Sequence, residues 1–396
     1  NTMTDDLPYE GLRVLDLSQG IAGPYCGMML ARNGADVIKL EPTGAGCWSR
    51  QLGKAVEDQT AHSLVVHRAK RSLSLDLKSG EGCAIAQRLA ANCDVILQNY
   101  RVGKIDRFGL EYNTVSATNQ SVVYLSITGF GPTGPHADLP ATDSVMQAYT
   151  GLMSINRDAT GMPQRINMLA IDFACGLYAF QGVSAALYRK AMKGVGAHIQ
   201  TSLLEASLAY QEAAMIESSL QGDVVQPIGM PVGSFRTRDG YISVNARRQQ
   251  QFERFATLLG KREWITDPRF LDPRARIDNS EALLSLIRPE IETGTTDEWC
   301  TRLTEIDVLH GRVHSHQELF QDDQVKAISA LRWIDDPVLG TVPMATLPGQ
   351  PAPASNDHYS LSPRLGEHTR EILAELGHDE NEIANLIRAG VAQALD

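Results

Sequence analysis

Apolar and polar positions alternate in two rhythms over the first 130 residues. Short apolar runs at 13–17 (RVLDL), 36–40 (DVIKL), 72–77 (SLSLDL), 94–98 (DVILQ) and 122–127 (VVYLSI) predict strands. Amphipathic stretches at 24–32 and 82–91, and a further segment around 104–108, lie between them. Pro24 stands at the first position of the first stretch, where a helix tolerates it. Strand and helix in alternation predict an α/β fold, a parallel sheet with crossover helices. Pro132, Gly134 and Pro135 mark a loop, and 143–152 predicts a helix. The plainest helix is 172–192, Ala/Leu-rich, with Asp172 at its start and Arg189 and Lys190 near its end, as the helix dipole favours. A strand–helix pair follows over 198–211.

The rhythm changes after Gln221. Segments 232–238 and 240–244, with helices at 250–259, 281–291 and 296–305, predict a smaller α+β region. Pro337, Pro343, Pro348, Pro351 and Pro353 then predict a long irregular connection, and helices at 368–376 and 381–389 a terminal arm. The expected organisation is a large Rossmann-like domain over 1–222, a small α+β domain over 223–330, and a segment over 331–396 that returns to the large domain.

Composition narrows the functional classes. With 47 acidic against 36 basic side chains the net charge is -11, and no Lys/Arg run offsets it, so nucleic-acid binding is disfavoured. No run of about 18 uncharged apolar residues stands out as a membrane span. The start, NTMTDD, has neither the basic nor the apolar part of a signal peptide. Six scattered cysteines without a CxxC pair fit reduced thiols in the cytoplasm.

Three places invite chemistry. Gly20, Gly23 and Gly27 follow the first strand, but as G-x-x-G-x-x-x-G, and Pro24 interrupts the turn, so a dinucleotide fingerprint is not met. What remains is a helix start whose N–H groups suit an anion. His310, His314 and His316 lie close in sequence, with Gly311 weakening the helix that would align them, and a solvated loop is the simpler reading than a metal site. Asp172 is either a helix cap or a carboxylate nucleophile held in a cleft that excludes water.

Several segments together resemble a known family. They are 11–46 (GLRVLDLSQGIAGPYCGMMLARNGADVIKLEPTGAG), 70–82 (KRSLSLDLKSGEG), 94–110 (DVILQNYRVGKIDRFGL) and 124–135 (YLSITGFGPTGP). They continue with 170–206 (AIDFACGLYAFQGVSAALYRKAMKGVGAHIQTSLLEA), 235–244 (FRTRDGYISV) and 365–377 (LGEHTREILAELG). In this order they resemble the family III CoA-transferases, which include formyl-CoA, carnitine and succinate–hydroxymethylglutarate CoA-transferases and are akin to α-methylacyl-CoA racemases.

The resemblance implies a nucleophile at Asp172 and CoA contacts at Gln19, Gly20, Ile21, Ala22, Leu75, Lys78, Asn99, Tyr100, Arg107 and Phe108, with Asp143 shaping the acyl pocket. Lys78 and Arg107 suit phosphate groups. It implies acyl-CoA and a small carboxylic acid as substrates, no permanently bound cofactor or metal, and an intertwined homodimer. The family's mechanism passes through an aspartyl anhydride and an aspartyl-CoA thioester, and amides at the start of the long helix are expected to steady charge on the reacting carbonyl. Departures fall at Pro42, Gln19, Pro140 and the segment 227–233, which leaves formyl or oxalate specificity open. The racemase relatives pair a histidine with the aspartate where this chain has Thr142-Asp143, so transfer is the better reading and acyl-CoA racemisation the alternative. Arg165, Arg247 and Arg248 are candidates for a second carboxylate of the acid, against the simpler reading as surface cations.

Overall fold

The computed structural model describes residues 7–158, 160–222, 227–350, 352 and 360–395. The chain divides into two compact units, Asn1–Met215 with Ser329–Asp396, and Ile216–Ile328.

The first unit is built on six parallel strands: β1 (Arg13–Asp16), β2 (Asp36–Glu41), β3 (Arg71–Leu75), β4 (Val95–Gln98), β5 (Val123–Thr128) and β6 (Ala197–Ser202). Their order is β3-β2-β1-β4-β5-β6, and the short strand Ala392–Gln393 adds antiparallel to β3. Both faces are covered, which is why Val14-Leu15 in β1 and Val95-Ile96-Leu97 in β4 are consecutive apolar residues rather than alternating ones. Leu15, Leu40 and Ile96 join a core with helix Gly80–Ala90 and the C-terminal helices Thr369–Glu375 and Glu380–Arg388. Val14, Val95 and Leu97 join the opposite core with helices Ala22–Arg32 and Ala170–Lys193. The strand order reverses between β1 and β4, so their C-terminal ends diverge and leave a crevice.

Helix Ala170–Lys193 packs on Ala22–Arg32 through a stripe spaced by four: Ile171, Cys175, Ala179 and Val183. Gly176 allows the close approach, since a Cβ there would fall 2.9 Å from the Ala22 carbonyl oxygen. By length and composition alone this helix is apolar enough to cross a membrane, a feature the sequence reading passed over, but most of it is buried inside the unit as a core helix. Helix Ala22–Arg32 begins two residues before the predicted start. Pro24 therefore sits at the third helical position, where its missing N–H is still one that no helical carbonyl would accept.

The expected irregular connection is partly regular. β7 (Val232–Arg236), β8 (Tyr241–Asn245) and β9 (Leu309–Arg312) belong to the second unit, while β10 (Leu331–Asp336) and β11 (Gly340–Ala345) pair antiparallel as a hairpin in the first. Pro337 occupies the turn, and Pro343 pairs with Trp333 in a two-stranded sheet, where every strand is an edge and tolerates proline. Pro351 and Pro353 lie outside the described residues. In the second unit β7, β8 and β9 form an antiparallel sheet over a core of Phe235, Ile242, Phe252, Phe255, Ile287 and Trp299.

Candidate active site

The turn after β1 is held from three sides. Asn99, just past β4, accepts from the Gln19 N–H at 2.7 Å and donates to the Gln19 carbonyl at 2.7 Å, so its amide is occupied at both ends by the backbone of one residue. Gly20 has φ of 84°, which favours glycine, and its N–H meets the Cys47 thiol at 3.0 Å. Beneath the turn lies a buried ionic group. Lys70 reaches Asp16 at 2.7 Å and the Pro24 carbonyl at 2.7 Å, while Lys39 lies 3.5 Å from Asp16 and donates to the Ser18 carbonyl. Burial alone would raise the Asp16 carboxyl, but Lys39 and Lys70 outweigh it and hold it below the usual carboxylate range. These two cations are spent on the scaffold.

The start of helix Ala170–Lys193 is capped from a distance. Its cap position, Leu169, has no side-chain acceptor. Asp143, first residue of helix Asp143–Tyr149, supplies one: Oδ2 accepts from Ile171 N–H at 2.7 Å and Asp172 N–H at 3.1 Å. Gln147, one turn further on, donates to Asp143 Oδ1 at 2.6 Å and grips the approach segment by accepting from Ile166 N–H at 2.8 Å. Phe173 N–H bonds to the Leu169 carbonyl at 3.0 Å. Asp172 is thus not the cap, and no hydrogen bond reaches its carboxylate from the described residues. Burial raises its carboxyl, and the neighbouring charge of Asp143 adds to that, bringing it to about 7. The carboxylate is 7% exposed as a residue and lines a cavity of about 630 Å³.

That cavity spans the C-terminal ends of the sheet at the strand-order reversal, where α/β sheets place their ligands. It joins the turn after β1, Trp48 after β2, the Asn99–Lys104 segment after β4, Thr128–Gly129 at the end of β5, and Thr142 to Asp172. A desolvated carboxylate with no partner, facing such a crevice, is equipped to attack an electrophilic carbonyl. The family described as CoA-transferase family III matches residues 9–369. The chain belongs to that family.

Among its relatives, the human succinyl-CoA:glutarate CoA-transferase is 32% identical over 98% of this chain and 91% of the human protein. The Agrobacterium fabrum succinate–glutarate CoA-transferase is 32% identical over 93% of this chain and 96% of its own length. Among solved structures, a CAIB/BAIF family protein from Brucella suis superposes with a TM-score of 0.83 at 32% identity, covering 94% of this chain and 100% of that one. This family III CoA-transferase is therefore an enzyme that takes CoA thioesters as substrates.

Of the residues expected from sequence, the transferase brings Gln19, Ile21, Ala22, Asn99, Tyr100 and Asp172 to one cavity. Gly20 underlies the turn, and Asp143 stands behind Asp172 rather than in the lining. Phe108 packs edge-on against the Tyr100 ring with centroids 5.9 Å apart, supporting that wall from outside. Arg107 and Lys78 are exposed and do not line the cavity. Leu75 is fully buried in the core, paired with Ala392 of the C-terminal strand, and does not line the cavity. Arg165 is exposed, bonds Asn167 at 3.0 Å and does not line the cavity, while Arg247 and Arg248 belong to the second unit.

Three of the amides at the start of the long helix are engaged within the fold: those of Ile171 and Asp172 by Asp143, that of Phe173 by Leu169. Sequence reasoning missed Arg101, Lys104 and Trp48. Lys104 sits 5.2 Å from the Tyr100 ring centroid, and the basic residues flanking Asn99-Tyr100 were the available signal. Trp48 left no signal. Among the described residues no group of three or more His, Cys, Asp or Glu side chains stands close enough to hold a metal. His310 is engaged with the Val308 carbonyl at 2.8 Å, and His314 and His316 are exposed.

Proposed function

We propose that this enzyme moves CoA from a dicarboxylic acyl-CoA, such as succinyl-CoA, to a free dicarboxylate, with Asp172 as the group that carries the acyl unit. The carrying observation is the Asp172 carboxyl itself, buried, released from capping by Asp143, and open to the cavity. The dicarboxylate reading draws on the human and Agrobacterium relatives.

In the proposed sequence an Asp172 oxygen attacks the donor thioester carbonyl, the C–S bond breaks, and a mixed anhydride and CoA thiolate result. The thiolate attacks the aspartyl carbonyl, releasing the donor carboxylate and leaving an aspartyl-CoA thioester. The acceptor carboxylate then attacks that thioester, giving a second anhydride and CoA thiolate. Attack of the thiolate on the acceptor carbonyl yields the new acyl-CoA and restores Asp172. A cleft that excludes water protects both anhydrides from hydrolysis. With the Ile171, Asp172 and Phe173 amides engaged, the start of helix Ala22–Arg32, which also lines the cavity and whose cap position Ile21 offers no side-chain acceptor, supplies the Ala22 amide as a candidate to steady the oxyanion.

Racemisation needs bases on both faces of the α-carbon. Among the described lining residues Asp172 is the single carboxylate, no histidine is present, and Thr142 stands where racemase relatives carry one. Outward-facing Leu177, Tyr188 and Met192 on the long helix, each more than half exposed, support the homodimer. Six free thiols suit the cytoplasm. The nucleotide end of CoA is assigned, by resemblance alone, to the surface carrying Lys78 and Arg107.

Incubation with succinyl-CoA and trapping with hydroxylamine is expected to modify the peptide containing Asp172, read by mass spectrometry. An Asp172→Ala protein that retains full exchange of labelled succinate into succinyl-CoA refutes the assignment.

A further inference from the structure

Trp48 belongs to no motif that the activity uses, yet it lines the same cavity as Asp172 and leaves 46% of its surface exposed. Its indole occupies the space a side chain at position 20 would need: a Cβ on Gly20 would fall 1.9 Å from Cζ2 and 2.3 Å from Cε2. The chain on either side is fixed from below. Cys47 N–H donates to Glu41 at 3.0 Å, and Arg50 forks onto the same carboxylate at 2.7 and 2.8 Å, with Glu41 and Arg50 both buried. The ring is therefore a fixed wall, and its apolar face is held toward a cavity that a ligand would fill.

Two observations say which part of the ligand it meets. The turn that carries the indole on Gly20 runs into Ala22, whose carbonyl touches the Asp172 helix at Gly176, one turn beyond Asp172. The cavity's cations among the described lining residues, Arg101 and Lys104, follow β4, on the opposite side of β1 from the segment after β2 that holds Trp48. Charge on the ligand is drawn to the β4 side, and a carbon chain to the indole.

We propose that Trp48 is the specificity-determining wall for the acyl group, its ring limiting the length of the acid that Asp172 accepts. This rests on the reading of Asp172 as the acylated residue. The test measures kcat/KM for glutarate, adipate and suberate, with succinyl-CoA as donor, in the wild type, Trp48→Phe and Trp48→Ala. The suberate-to-glutarate ratio is expected to rise about tenfold or more in Trp48→Ala, with Trp48→Phe between it and the wild type and the Kd for free CoA held. Trp48→Leu replaces the alanine variant if that does not fold. An unchanged ratio makes the ring a cover for Gly20, and a uniform loss for all acids with weakened CoA binding makes it a CoA contact. Either overturns the proposal. Absence of a labelled Asp172 in the wild type defeats the underlying reading instead, independently of the ratio.

Discussion

Replacing Asp172 by asparagine keeps the side chain's shape and removes its ionisation, so the variant isolates what the buried charge costs the fold. The folded carboxyl gives up its proton only near pH 7, against 3.8 for the unfolded chain. Between those values the folded state binds more protons than the unfolded one, so this group makes stability fall as pH rises, and the loss is complete above about pH 7. At 1.36 kcal/mol per pK unit the cost is about 1.6 kcal/mol at pH 5 and about 4 kcal/mol at pH 8.5. Every titrating group not coupled to Asp172 is common to the two proteins and cancels in the comparison. An asparagine amide buried without partners adds a penalty, but one that does not change with pH. Unfolding by urea or heat at both pH values is therefore expected to show Asp172→Asn gaining about 2.5 kcal/mol relative to wild type between pH 5 and pH 8.5. A gap that stays constant across this range, or that closes toward high pH, refutes the claim that Asp172 is desolvated and unpartnered.

Asp143→Asn tests the second cause of the same shift. The amide oxygen still accepts from the long helix, but the amide nitrogen meets the Gln147 donor, costing about 1–2 kcal/mol in unfolding experiments. With the negative charge gone, the rise of kcat/KM with pH is expected to move to lower pH while staying above the ordinary aspartate value, because burial persists. An inflection that does not move contradicts the electrostatic coupling. Light scattering is expected to give twice the chain mass, and a lasting monomer would leave the exposed stripe of Leu177, Tyr188 and Met192 without its proposed cover.

Much of the α/β architecture was legible because strand and helix periodicities are local. Val14-Leu15 and Val95-Ile96-Leu97 run apolar without alternation since both faces of their strands are covered, and the long helix carries its own four-residue stripe. The hairpin β10–β11 was not legible, because prolines signal irregular chain unless the strand is an edge, and edges exist only once strands have paired. Likewise the residue types at the site were visible, and the resemblance singled out Asp172 among 47 acidic residues.

Which of those residues hold the fold and which remain free for chemistry was decided by contacts far apart in the chain. Asp143 reaches 28 residues to cap the helix of Asp172, and Asn99 reaches 80 residues to lock Gln19. Lys39 and Lys70, cations beneath the turn, are consumed by Asp16. A sequence states which groups ionise or donate. Only packing decides whether each has already found a partner, because hydrogen bonds and desolvation depend on ångström distances that no local pattern encodes. Among the described residues that line the cavity, that partnering leaves one carboxylate, Asp172, without a hydrogen-bond partner, at the C-terminal ends of the strands where the order reverses.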